Sequence, residues 1–286
     1  MAEIFDDTAC KLGEGPLWHP GREQLFWFDI RGMRLHSRTG DGPELWQFGE
    51  HVSAAGWIDR DTLLIASETK LFTFNLATGA SDTIAPLEAD IPATRSNDGR
   101  ADPWGGFWIG TMAKTGDEGI GAIYRYYRGE VRPLFTGLFI PNAISFDRNR
   151  GCAYFADTSL KTVWRQRLDD GTGWPVGDAE IFLDFKAEGL LPDGAVVASD
   201  GTFWNAQWGS GRVAAYDPEG RFLKAYAVGG ENSSCPAFGG PDLTDLYCTT
   251  AHQGLSREAR EANPENGMTF VIKGAGQGLP EPRVIL

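Results

Sequence analysis

A chain of 286 residues with 42% apolar content can bury a large core, as one extensive all-β domain or as two smaller units. Its 26 Lys and Arg face 39 Asp and Glu, a net charge of −13, which argues against nucleic acid or an anionic membrane surface as a partner. No run reaches the ~18 apolar residues of a membrane span, and "MAEIFDDTAC" has neither the basic start nor the apolar middle of a signal peptide, so a cytoplasmic location is expected.

Taken in chain order, six strand-like runs recur: "LFWFD" at 25–29, "LLIAS" at 63–67, "FWIGT" at 107–111, "YFADT" at 154–158, "FWNAQ" at 203–207 and "LYCTT" at 246–250. A second β-rich run follows most of them and ends in a turn, as in "LFTFNLATG" and "RVAAYDPEG". Fourteen or fifteen residues before Asp29, Ser67, Thr111, Asp157, Gln207 and Thr249 lie Glu14, Ser53, Asn97, Asn142, Asp193 and Ser234, separated by 39, 44, 45, 51 and 41 residues. That period is the length of a four-stranded propeller blade. The fourth unit displays all four strands as "NAISFD", "CAYFAD", "TVWRQRLD" and "AEIFLDF".

The spacing predicts an all-β fold, a six-bladed β-propeller with four-stranded blades around a central channel, formed by residues 1–286 as a single domain. Two stacked β-sandwiches would not produce six equally phased anchors. The outer strand of the last blade is expected from "EIFDD" near the start or "RVIL" at the end, and spacing does not choose between them. One helical pattern stands out, "GLSREAREANP", with Ser256 as N-cap and an end near Ala262 before Pro264.

In a propeller the first strand of each blade lines the channel, so residues at one repeat phase converge on the axis. Four anchors, Glu14, Asn97, Asn142 and Asp193, form a ligand set made only of oxygen, suited to Ca²⁺, Mg²⁺ or Mn²⁺, with Zn²⁺ or Fe²⁺ also accommodated. Two carboxylates facing each other in a partly dry channel need a cation to stay ionised together. Cys10, Cys152, Cys235 and Cys248 have no metal or disulfide spacing and are expected as buried reduced thiols. His19, His36, His51 and His252 have no i, i+4 partner and are expected on the surface or in loops. No G-x-S-x-G elbow and no P-loop is present.

At these residues the chain resembles the gluconolactonase and senescence-marker-protein (regucalcin) family of sugar lactonases, through "LGEGPLW", "RSNDGRADPWGGFWIGTM", "IPNAISFD" with "YFADT", and "LPDGAVVASDGTFW" with "WGSGRVAAYDPEG". The resemblance implies one divalent metal held by Glu14, Asn142 and Asp193, with Arg95 and Asn97 binding the lactone, which moves Asn97 from the metal to the substrate. It places a lid loop at "AKTGDEGIG", where Thr115 stands in place of a substrate-contacting glutamate of some members, with Asp117 and Glu118 nearby and Glu118 expected among the substrate-binding residues. The expected activity is metal-dependent hydrolysis of an aldonolactone to its aldonic acid, with gluconolactone, arabinolactone and xylonolactone as examples. Asp193 would orient or deprotonate the water, and Arg95 and Asn97 would donate to substrate oxygens. The alternative is a metal-binding or calcium-handling regulator on the same scaffold. No obligate protein partner is expected.

Overall fold

The computed structural model describes residues 2–286 and is a six-bladed β-propeller. Each blade is an antiparallel four-stranded sheet. The innermost strands are Gly13–His19, Val52–Trp57, Thr94–Ala101, Pro141–Asp147, Leu191–Val197 and Asn232–Gly239, and they pack on one another around the axis. Blades 1 to 5 use four consecutive strands. Blade 6 takes its outermost strand, Glu3–Asp6, from the N-terminus, where it pairs with Thr269–Ile272. Of the two alternatives for closure, "EIFDD" is the one realised.

The second strand of each blade is buried along nearly its whole length because both of its faces are covered. In blade 1, Phe26 and Phe28 pack toward blade 2 with Leu63, Ile65, Phe72 and Phe74, while Trp27 between them joins Cys10, Tyr247 and Val271 of blade 6 and its approach. Blade 3 repeats the arrangement, with Phe107 and Ile109 facing blade 2 and Trp108 facing Ile144 and Phe146 of blade 4. Period-two alternation therefore sorts side chains between two neighbouring blades, where in a half-exposed sheet it would sort core from solvent. Burying each of these rings removes it from water at about 1.5–3 kcal/mol. The outermost strands do alternate with solvent, as Gly42–Gln47 shows.

After Ile272 the chain crosses the end of the channel at which the inner strands finish. Ser199 donates its backbone N–H to Gln277 (2.8 Å), Val284 donates to Trp57 and Ile285 to Gly105 (each 2.9 Å). Glu281 pairs with the buried Arg100. Val284 is fully buried, and a Cβ on Gly56 would come within 2.5 Å of it. The "RVIL" segment is thus a plug. The helix falls at Arg257–Ala262, with Ser256 Oγ accepting the Ala259 N–H at 3.1 Å, as the capping pattern predicts. Among the described residues, no helix is long and apolar enough to cross a membrane.

All four cysteines are buried and unpaired, as expected. His51 and His252 fall in loops, as expected, whereas His19 and His36 lie buried within strands of blade 1, where His36 stacks on Trp27 and His19 Nε2 reaches the Asp59 carbonyl at 2.9 Å. Sheet packing gives these rings apolar faces to cover, which spacing alone does not reveal.

Deleting residues 2–7 removes the Phe5–Tyr247 edge contact (4.9 Å) and the Arg38–Asp6 ion pair (2.7 Å) and leaves the Thr269–Ile272 edge unpaired. The deletion should lower Tm by roughly 10 °C and promote association, measured by thermal melts and light scattering; an unchanged melt would show that the closing strand contributes little.

Candidate active site

Every inner strand carries a break in its ladder at the predicted anchor. The register shifts lie between Glu14 and Leu17, Val52 and Ala54, Ser96 and Gly99, Asn142 and Ser145, Pro192 and Ala195, and Ser233 and Cys235. A bulge turns a side chain off the pleat, and six at one level turn six side chains toward the axis. Glycine makes the corner around Glu14 possible. A Cβ on Gly13 would stand 2.4 Å from the Thr250 carbonyl of blade 6, and one on Gly15, at φ 52°, 2.3 Å from the Ser53 carbonyl of blade 2. Ala143, after Asn142, takes φ 56° without glycine's freedom, a local strain that holds the fourth bulge.

Two anchors are spent inside the protein. Ser53 Oγ donates to Ser96 Oγ (2.8 Å), and Ser234 Oγ bonds the Gly13 carbonyl and lies 2.9 Å from Thr249 Oγ1. The remaining four, Glu14, Asn97, Asn142 and Asp193, line one cavity of about 270 Å³ together with Arg95. Met112, Ile140, Leu191 and Trp208 supply its apolar wall. Glu118 is exposed on the segment after Met112 and does not line the cavity.

A directional hydrogen-bond chain orders these groups. Arg95 Nη1 donates to Asn97 Oδ1 (2.9 Å), and Asn97 Nδ2 donates to Asn142 Oδ1 and to the Pro141 carbonyl (each 3.0 Å). Asn142 Nδ2 donates to Thr158 Oγ1 (2.8 Å), whose own proton goes to the Pro192 carbonyl (2.6 Å), next to Asp193. Arg95 has only donors and a carbonyl only accepts, so both amide orientations follow from the ends of the chain. Both Asn97 N–H groups are engaged, so the hydrogen-bonding capacity it has left is an Oδ1 lone pair, where the sequence led to the expectation of a donor.

Sequence reasoning missed two residues here. Asp98 is buried, its Oδ2 accepting the Ile144 N–H at 2.7 Å across the fourth bulge, although "SNDGR" reads locally as a turn. Thr158 ends the run "YFADT" as one of several threonines in the chain, and nothing in the sequence marks it as the bridge between Asn142 and the Pro192 carbonyl beside Asp193. Burial pushes the Asp98 carboxyl up to about 6 against the pull of the Ile144 N–H. Burial first and then the charge of Asp98 raise Glu14; burial, Glu14 and Asp98 raise Asp193 well above the carboxylate range. Burial, then the nearby Arg31 charge, bring Arg95 down to about 10.

Three carboxylates against one guanidinium leave this hub at a formal charge of −2, which one divalent cation cancels. Glu14 accepts the Gly15 N–H (3.1 Å) and Asp193 that of Gly194, leaving oxygen lone pairs on both, and Asn142 Oδ1 keeps one beside its bond from Asn97. The donor set fits a hard divalent ion. A second cluster, Cys10, Asp29 and His36, has ligand atoms within 4.8 Å of one another. Its Asp29 takes the N–H groups of Lys11, Leu12 and Gly32, as Asp157 takes those of Phe139, Ile140 and Ser159 in blade 4 without any Cys or His nearby. Asp29 is therefore a structural feature shared with blade 4, where the aspartate ties the loop that enters the blade.

A propeller with an acidic, oxygen-lined hub and one guanidinium beside it defines the class. The SMP-30/Gluconolactonase/LRE-like region model matches residues 12–252, and the chain belongs to that family. It is similar to pentonolactonase XacC of Haloferax volcanii, 38% identical over 97% of this chain and 96% of that protein. It is also similar to L-arabinolactonase of Azospirillum brasilense, 33% identical over 99% and 95%. Among solved structures, the calcium-binding protein regucalcin from Agrobacterium tumefaciens superposes with a TM-score of 0.97 at 38% identity, covering 100% of this chain and 98% of that one.

Thr158→Val should leave Asn142 Nδ2 without its acceptor and lower divalent-cation affinity and kcat by about 10–100-fold, while Thr158→Ser restores both; isothermal titration and turnover assays separate this from a loss of packing, which Ser would not repair. Glu14→Gln should weaken cation binding yet raise the Tm of the cation-free protein at pH 8, because a carboxyl whose pKa is raised by folding opposes folding when ionised. For Asp98, raised from 3.8 to about 6, the same linkage makes the cation-free protein gain stability as pH falls through 6, a gain complete near 4. A chelated protein whose Tm falls steadily from pH 8 to 5 would contradict both assignments.

Proposed function

We propose that this protein hydrolyses the ring ester of a sugar lactone to the open aldonate, using one divalent cation held by Glu14, Asn142 and Asp193. The observation that carries the reading is the placement of these three oxygen donors and of Arg95 and Asn97 around a single cavity of about 270 Å³. Relatives named for pentonolactone and arabinolactone hydrolysis support sugar lactones as the substrate class. A bound divalent cation supplies Lewis-acid polarisation of a carbonyl and acidification of water.

The chain's own groups divide the rest of the work. Arg95 spends Nη1 on Asn97 and on the Ser96 carbonyl (2.8 Å), and its Nε has no protein partner, so the guanidinium keeps N–H groups for lactone oxygens. Asn97 accepts from a sugar hydroxyl. Trp208 and Met112 cover the C–H faces of the ring. Asp193 orients the attacking water and takes its proton. The carbonyl C–O bond to the ring oxygen then breaks, and that oxygen leaves as a hydroxyl with the proton returned to it. Glu118 would reach a substrate only after movement of the segment that bears it.

The calcium-binding name of the Agrobacterium structure favours one second reading, a cation-handling protein using the same hub. Acid release should be followed from five- and six-membered sugar lactones before and after chelation. Turnover that stops and returns with a single added cation is the expected result, whereas no hydrolysis of any lactone with any cation would sink the proposal in favour of the binding role. Asp193→Asn should lower kcat by at least about 100-fold.

A further inference from the structure

Beside the catalytic cavity lies a second hollow of about 420 Å³, lined by Lys11, Arg31, His252, Gln253 and Arg260 among others, with no carboxylate in its wall. This concentration of cations runs against a chain charge of −13. On the nearby helix Glu261 is paired with Arg257 at 2.7 Å, and Glu258 in the first turn is not part of the hollow's wall. The rim is tied across blades 6 and 1, where the Gln253 N–H donates to the Lys11 carbonyl (2.9 Å).

Gln253 belongs to both spaces, lining the catalytic cavity as well. Its Oε1 accepts from Arg31 Nε (3.1 Å), which leaves the amide N–H pair for a ligand. Arg31 is itself held by Nη2 on the Lys114 carbonyl (3.2 Å), and its charge is felt at Arg95 inside the cavity. Donors and positive charge therefore continue from the lactone site outward through Arg31 and Gln253 to Lys11 and Arg260.

We propose that this hollow is a subsite for an anionic group on the substrate, at the end remote from the reacting carbonyl, so that acidic sugar lactones are preferred over neutral ones. The inference rests on the lactonase reading above. A carboxylate, phosphate or sulfonate would each satisfy the same cations and the Gln253 amide.

The test compares kcat/KM for D-glucono-lactone, its 6-phosphate, its 6-sulfonate analogue and D-glucaro-1,4-lactone in the cation-loaded protein. At least one acidic lactone should exceed the neutral one by about tenfold at low ionic strength, with the ratio shrinking as salt rises. The preferred acid identifies the anion class. In Lys11→Gln/Arg260→Gln, both exposed positions, the ratio should fall close to one, and inorganic phosphate should compete with acidic lactones in the wild type. A neutral lactone hydrolysed as fast as every acidic one would overturn the subsite while leaving the lactonase assignment standing; hydrolysis of none of them would overturn the assignment itself.

Discussion

The break in the ladder of each inner strand is the constraint on which this molecule depends. An unbroken antiparallel strand would alternate its side chains between the two flanking blades and present mainly backbone edge to the axis. The extra residue at each bulge redirects one side chain per blade inward, at one depth, and six-fold repetition turns this local irregularity into a ring of functional groups. The glycines at Gly13 and Gly15 follow from it, because inward rotation brings their backbone against Thr250 and Ser53 of the adjoining blades.

Electrostatics then decides what the ring can hold. Glu14, Asp98 and Asp193 are all nearly removed from water; Asp98 makes the ionisation of Glu14 harder, and both do so for Asp193. Such a group is stable only when protons, a cation or hydrogen bonds balance it. Arg95 supplies one positive charge and also the starting point of the polarised chain through Asn97, Asn142 and Thr158 to Pro192. The chain couples blades 3, 4 and 5, so the orientation of an amide in one blade depends on a hydroxyl and a carbonyl in the next two. Charge balance and amide orientation thus arise from one network.

The two ends of the polypeptide protect this arrangement in different ways. The N-terminal strand completes blade 6 by pairing with Thr269–Ile272, which ties the start of the chain to its last blade. The C-terminal segment crosses the opposite end of the channel and joins blades 5, 2 and 3 through Gln277, Val284 and Ile285. The buried Arg100 meets Glu281 beneath Asp98, so the floor of the channel is itself an ion pair whose donor shares a strand with the hub. The channel opens to ligand at one end.

Local pattern carried much of this in the sequence. The period of the anchors, the β-rich runs and the turn residues marked six blades, because blades 1 to 5 are contiguous hairpin series, and the three inner strands of blade 6 are contiguous too, with signals that lie within about 45 residues. The inward phase of Glu14, Asn97, Asn142 and Asp193 was legible for the same reason, and the Ser256 cap because capping is decided over three residues. Only the tertiary structure decided the choice of Glu3–Asp6 over the C-terminus for closure, the plug made by Val284, the burial of His19 and His36, the acceptor role of Asn97, and the parts played by Asp98 and Thr158. Each depends on groups from separate blades meeting across the axis or between faces. Those distances are set by ring closure and bulge geometry, quantities to which residues far apart in the chain contribute together and which no short stretch contains.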